Sequence, residues 1–146
     1  MPGIIVGVDG SDHSRYALDW AVREAAVRHA PLTVLAVQQP YVSYWATPVV
    51  YPVTPDLIEE ARERAQKETD AALDEQAPGA RPPSVTVTAL FGLPAEELLD
   101  AAADADLLVV GSRGAGGFRR LLLGSVSTQV TQHARCPVVV IPAGDA

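Results

Sequence analysis

The sequence predicts a doubly wound α/β fold, a parallel sheet with helices on both faces. Three observations carry that expectation. Short β-branched apolar runs alternate with longer segments of helical periodicity along the whole chain. Most of these runs are apolar throughout instead of alternating with polar residues, as expected of strands buried on both faces. With 146 residues, 48% of them apolar, the chain has the size and composition of one globular domain, here residues 1–146. Strands that alternate with helices imply right-handed crossovers and parallel pairing.

Residues 3–9 (GIIVGVD) read as the first strand, ending in turn residues. Ser11 and Ser14 are both N-cap candidates for a helix over residues 15–29, where Leu18, Ala21, Val22 and Ala25 form an apolar stripe. Pro31 breaks that helix, and residues 32–37 (LTVLAV) supply a second buried strand. Residues 38–54 place Pro40, Pro48 and Pro52 among Tyr41, Tyr44, Trp45 and Tyr51. No periodicity holds there, which predicts a long loop. Thr54 or Asp56 caps a helix over residues 55–76, whose Glu59, Glu60, Glu63, Arg64, Lys67 and Glu68 are expected on a solvated face. Residues 77–83 (APGARPP) are a linker, and residues 84–90 (SVTVTAL) alternate like a strand with one face exposed. Pro94 suits the first turn of a short helix. Residues 107–110 are another buried strand, and residues 125–134 a final helix with Val126, Val130 and Ala134 on one face. Residues 137–142 (PVVVIP) form the last strand, and its flanking prolines fit a sheet edge or an interface.

Composition narrows the function. A net charge of −7 argues against nucleic acid as a partner, because backbone phosphates need a basic face. No apolar run approaches the roughly 20 residues that span a bilayer, so no membrane role is expected. The opening MPGIIVGVDG lacks the basic start of a secretion signal, and the expected location is cytoplasmic. The single cysteine, Cys136, excludes an internal disulfide and a cysteine-based metal site. The charge is also uneven. Residues 107–144 contain Arg113, Arg119, Arg120 and Arg135 but no Asp or Glu, a local charge of +4 from four arginines and no acid. A small anionic ligand and chance clustering account for that equally well.

The chemistry concentrates in residues 111–125 (GSRGAGGFRRLLLGS), directly after a buried strand and directly before a helix. Glycines let backbone N–H groups approach a ligand closely, and the start of a helix offers unpaired donors and partial positive charge. Ser125 can cap the helix or turn its hydroxyl to a phosphate, with Ser127 in the same turn; Arg113 or Arg119 can neutralise outer phosphates. A glycine-rich loop that merely turns the chain remains an equal reading. Two other motifs are excluded. The only lysine, Lys67, lies in the charged helix, so there is no P-loop, and the turn after the first strand (DGSDHS) has one glycine where a dinucleotide fingerprint needs three.

The spacing Gly111-x2-Gly114-x9-Gly124-Ser125 resembles the ATP-binding signature of the universal stress protein family. Residues 6–11 (VGVDGS), 32–37 and 136–142 (CPVVVIP) resemble that family's first, second and closing strands, so the likeness spans the chain. The resemblance implies a five-stranded sheet of order 3-2-1-4-5. It implies that Asp9 and the backbone at Val37 hold adenine and ribose. The phosphates then fall to Gly111, Ser112, Gly114, Gly124 and Ser125, with Arg113, Val126 and Ser127 close by. The implied cofactor is ATP with or without magnesium, AMP and cyclic AMP remaining open. One departure is residues 35–38 (LAVQ), where many relatives carry histidine before the valine. With that strand order, Asp9 and Gly111 end neighbouring strands at the point where the order reverses, where open α/β sheets bind ligands.

Bland readings compete at single residues. Asp9 is expected at the ligand instead of capping the first helix, His13 in a solvent-exposed turn, His133 at a helix C-terminus where a cation suits the dipole, and Cys136 in the core. Three functions stay in play: a nucleotide-binding stress or signalling module without efficient catalysis, a slow ATPase or nucleotide-activating enzyme, and a dimerisation module with an empty crevice. Residues 107–132 contain no Asp, Glu, Lys or His to serve as a general base, which favours binding over turnover. An apolar edge strand needs cover, so a homodimer through Val138–Ile141 is expected.

Overall fold

The computed structural model describes residues 3–43, 49–51, 53–77, 79–112 and 123–142. Its elements run β1 (Ile4–Val8), α1 (Asp12–Arg28), β2 (Leu32–Gln38), β3 (Tyr41–Ser43), β4 (Val49–Tyr51), α2 (Pro55–Asp74), β5 (Val85–Phe91), α3 (Pro94–Ala101), β6 (Leu107–Gly111), α4 (Ser125–His133) and β7 (Val138–Ile141). Five strands form one parallel sheet of order β5-β2-β1-β6-β7. Counting only these strands, that is the order 3-2-1-4-5.

Alternate side chains of the inner strands enter two separate cores, which is why the strands read as continuous apolar runs. Val6, Val34 and Val109 pack beneath α1 and α2 with Leu18, Val22 and Ala65. Leu35, Leu108 and Val110 pack beneath α3 and α4 with Leu98 and Val130. Gly7 belongs to this second face, where a β-carbon would lie 2.9 Å from both δ-methyl groups of Leu98. The bare backbone lets α3 seat against β1. The two edges read correctly from the sequence: β5 and β7 are the outer strands, and β7 is half-buried along its whole length. Among the described residues no helix is long and apolar enough to cross a membrane.

Two expectations need correction. Residues 38–54 are not a featureless loop, since β3 and β4 pair antiparallel with Val42 opposite Val50. Each strand has only three residues, too few for alternation to register, although valine favours the extended backbone. The first helix starts three residues earlier than expected, at Asp12, because Ser11 is the N-cap and accepts the Ser14 N–H at 3.2 Å. His13 therefore lies inside the helix and not in a turn. It is half-buried, and its Nδ1 has no hydrogen-bond partner among the described residues.

Helices α1 and α2 meet along a polar seam. Arg15 lies 3.8 Å from both Asp19 and Glu75. Burial pushes the Glu68 carboxyl above its ordinary value; Arg15 and Arg64 pull it back only in part, and Asp9 and Asp12 push it further up. The neutral form therefore favours the fold. That contribution is complete below the unfolded value of about 4.3 and is lost as pH rises through the raised folded value. Glu68→Gln holds the group neutral, so its melting temperature should exceed that of the parent at pH 7 by no more than a few degrees. The difference should close near pH 4; a difference that instead widens on acidification contradicts this account.

Candidate functional site

The candidate site lies at the carboxyl edge of the sheet, where β1 and β6 separate. Their pairing runs Ile4–Leu107, Ile5–Leu108 and Val6–Val109 and stops there. Strand β1 stays paired with β2 as far as Val8–Ala36, and β6 with β7 as far as Gly111–Ile141. Each strand thus holds to its outer neighbour while the central pair opens. The crossovers also diverge here, since β1 leads toward β2 and β6 toward β7.

Asp9 stands at one lip. Its Oδ1 accepts the Ser11 N–H at 2.9 Å and the Ser11 hydroxyl at 2.5 Å. The carboxylate folds the exposed turn after β1 and is not the helix cap. Its own N–H donates to the Ser14 hydroxyl at 3.3 Å, tying the turn to the start of α1. Gly10 follows with φ +84, a backbone that side chains rarely adopt. Val37 lies in β2 beside Leu90, and its side chain packs with the second core.

The other lip is the segment leaving β6. Ser112 donates its N–H to the Ile141 carbonyl at 2.8 Å, which extends the β6–β7 pairing by one residue. The Ser112 carbonyl then accepts two donors, the Gly124 N–H at 2.6 Å and the Ser127 hydroxyl at 3.0 Å. The Ser127 hydroxyl is also 3.1 Å from the Gly124 carbonyl. Residues 112 and 124, twelve positions apart, are thereby clamped together at the start of α4. The loop has a closed neck.

This geometry revises several roles. Gly124 is the N-cap of α4 with φ −76, and Gly111 lies in β6, so neither uses the positive φ that glycine permits. Ser125 is exposed and makes no side-chain cap, so its hydroxyl is free to face a ligand. Ser127 is 2% exposed with its hydroxyl turned to carbonyls, which makes it the clamp of the neck. Val126 packs into the second core, leaving its backbone N–H at the helix start. Arg113, Gly114, Arg119 and Arg120 lie outside the described residues.

Electrostatics distinguish this helix start from the others described. Asp12, Asp56, Glu96 and Glu97 occupy the first turns of α1, α2 and α3, whereas the first turn of α4 carries no acid. Its partial positive charge is left for an external anion. His133 is exposed in the last turn of α4. Cys136 is half-buried against the second core; burial first of all, with the Asp106 charge beside it, pushes its thiol up and away from a reactive thiolate. Sequence reasoning missed Arg64, which reaches the Asp9–Gly10 turn from α2. The only local signal was an Arg64–Glu68 spacing of one helical turn.

Comparison with known proteins identifies the family and the fold. The profile of the Universal stress protein family matches residues 2–142. Universal stress protein Rv2005c of Mycobacterium tuberculosis is 39% identical over 145 residues, covering 99% of this chain and 49% of its own length. The chain therefore spans about half of that relative. Universal stress protein YxiE of Bacillus subtilis is 37% identical over 144 residues, covering 94% of this chain and 97% of its own. A solved universal stress protein in complex with cAMP superposes with a TM-score of 0.67 at 27% identity, over 98% of both chains.

The neck can be tested without a ligand. Ser127→Ala removes both hydroxyl contacts from a buried position and should cost about 1–2 kcal/mol in denaturant unfolding. Hydrogen exchange at the Gly124 amide should accelerate more than exchange in β1. Unchanged exchange at Gly124 would show that the hydroxyl does not hold the loop ends.

Proposed function

Because the chain belongs to the universal stress protein family, we propose that it binds an adenine nucleotide, ATP by preference, and works as a nucleotide-dependent stress or signalling module without efficient catalysis. The observation that carries this reading is the crevice between β1 and β6, with Asp9 at one lip and the acid-free start of α4 at the other. Asp9 and the Val37 backbone would hold adenine and ribose. Gly111, Ser112, Gly114, Gly124 and Ser125 would hold the phosphates with Arg113 and the Val126 N–H, and Ser127 would keep the loop ends in place. The cAMP complex of the related protein supports an adenine nucleotide as the ligand class. Among the described residues no group of three or more His, Cys, Asp or Glu gathers to hold a metal ion. A magnesium ion would therefore ride on the phosphates.

Binding is favoured over turnover by residue chemistry. Phosphoryl transfer to water needs a group that orients or deprotonates the nucleophile. Residues 107–132 carry none among Asp, Glu, Lys and His.

Isothermal titration with ATP, AMP and cyclic AMP, with and without magnesium, followed by a phosphate-release assay, tests the reading. ATP should bind and phosphate release should stay negligible over an hour. Gly114→Val should abolish binding while the melting temperature holds. No binding at millimolar ATP removes both the module and the enzyme readings, and rapid release favours the ATPase.

The half-buried β7 also supports a homodimer joined along Val138–Ile141, since an exposed apolar edge invites a partner strand. Light scattering at tens of micromolar should return twice the chain mass of 15.4 kDa. A monomer at that concentration contradicts the dimer and leaves the nucleotide reading untouched.

A further inference from the structure

Arg64 projects from α2 onto the turn that follows β1. A β-carbon built on Gly10 would lie 2.8 Å from Arg64 Nε, 3.2 Å from Cζ and 3.4 Å from Cδ. Three consecutive atoms at such graded distances mean that the end of the side chain runs along the bare glycine. Three other arginines on these two helices pair with carboxylates, Arg15 with Asp19 and Glu75, Arg28 with Glu24, and Arg62 with Glu59. Arg64 has no such pair among the described residues, and it is exposed. A long side chain held against a glycine without an ion pair presents an open guanidinium plane at the Asp9 lip.

The surroundings decide what that plane meets. Asp9, Asp12 and Glu68 share one electrostatic neighbourhood with Arg15 and Arg64. Three carboxylates around the turn make it a poor place for phosphates, which the acid-free start of α4 suits better. The uncharged base end of a nucleotide is what this lip can accept. A planar, weakly hydrated guanidinium stacks on aromatic faces, whereas an ammonium offers only a point charge.

Resting on the nucleotide reading above, we propose that Arg64 is a ligand-contacting residue whose guanidinium, laid along Gly10, forms the platform on which the base stacks beside Asp9. Gly10 is then required twice, for its positive φ and for the space in which the platform lies.

The test titrates ATP into the parent protein, Arg64→Lys, Arg64→Ala and Gly10→Ala at two salt concentrations. Stacking of one base on a side chain corresponds to roughly tenfold in affinity. Arg64→Ala and Arg64→Lys should both weaken ATP by about that factor with the salt dependence unchanged, because lysine keeps the charge and loses the plane. Gly10→Ala, whose methyl group displaces the guanidinium, should follow them. Full affinity in Arg64→Lys, or a shallower salt dependence in Arg64→Ala, would assign Arg64 a charge contact and overturn the stacking platform. Parent-like affinity in Arg64→Ala overturns any contact. A parent protein that binds no ATP fails the nucleotide reading itself, and the platform with it.

Discussion

Strands β1 and β6 cease to pair after Val6 and Val109 while each continues along its outer neighbour. Parallel strands gain their backbone hydrogen bonds only in pairs, so a central pair that opens must recover its polar groups elsewhere. On the β6 side, Ser112 passes its N–H to Ile141 and its carbonyl to Gly124 and Ser127. On the β1 side, the Asp9 N–H turns to the Ser14 hydroxyl, and the Asp9 carboxylate gathers Ser11. At both lips, short polar side chains and the neighbouring strand take up the backbone groups of Asp9 and Ser112.

The same economy explains the placement of charge. Acids near the first turns of α1, α2 and α3 complement those helix dipoles internally. Among the described helices, α4 alone lacks an acid there, and it begins at the neck beside the end of β6. The net charge of −7 is thus unevenly spread, with acids gathered at the seam between α1 and α2 and around the turn after β1.

Local chemistry that acts within a few residues was legible in the sequence. The five sheet strands were readable from their apolar runs, and the flanking prolines put β7 at an edge. Ser11 and Ser14 were both visible as cap candidates, but choosing between them needed the backbone at Ser11. The hairpin of β3 and β4 escaped because three-residue strands carry too little pattern. Ser127 was read as a ligand contact since a serine at a helix start looks alike whether its hydroxyl faces inward or out. Its burial depends on the carbonyl of Ser112, fifteen residues earlier. Arg64 is exposed, as its place on the charged face implies, but no periodicity within α2 reveals that its side chain lies along a glycine of another turn. The spacing of glycines pointed to the loop, and tertiary contacts show how its ends at Ser112 and Gly124 are held.

The neck between Ser112 and Gly124 has a consequence for how such a protein can change. Chain leaving the sheet at Ser112 is back beside it at Gly124, so the two ends are held together before α4 begins. The entropy of closing a loop grows only slowly with its length, by about 0.6 kcal/mol for each doubling. By that scaling, a change in the number of residues between the two anchors costs little so long as the neck hydrogen bonds form. Length between Ser112 and Gly124 is then an inexpensive variable, whereas the anchors themselves are fixed by the contacts they make.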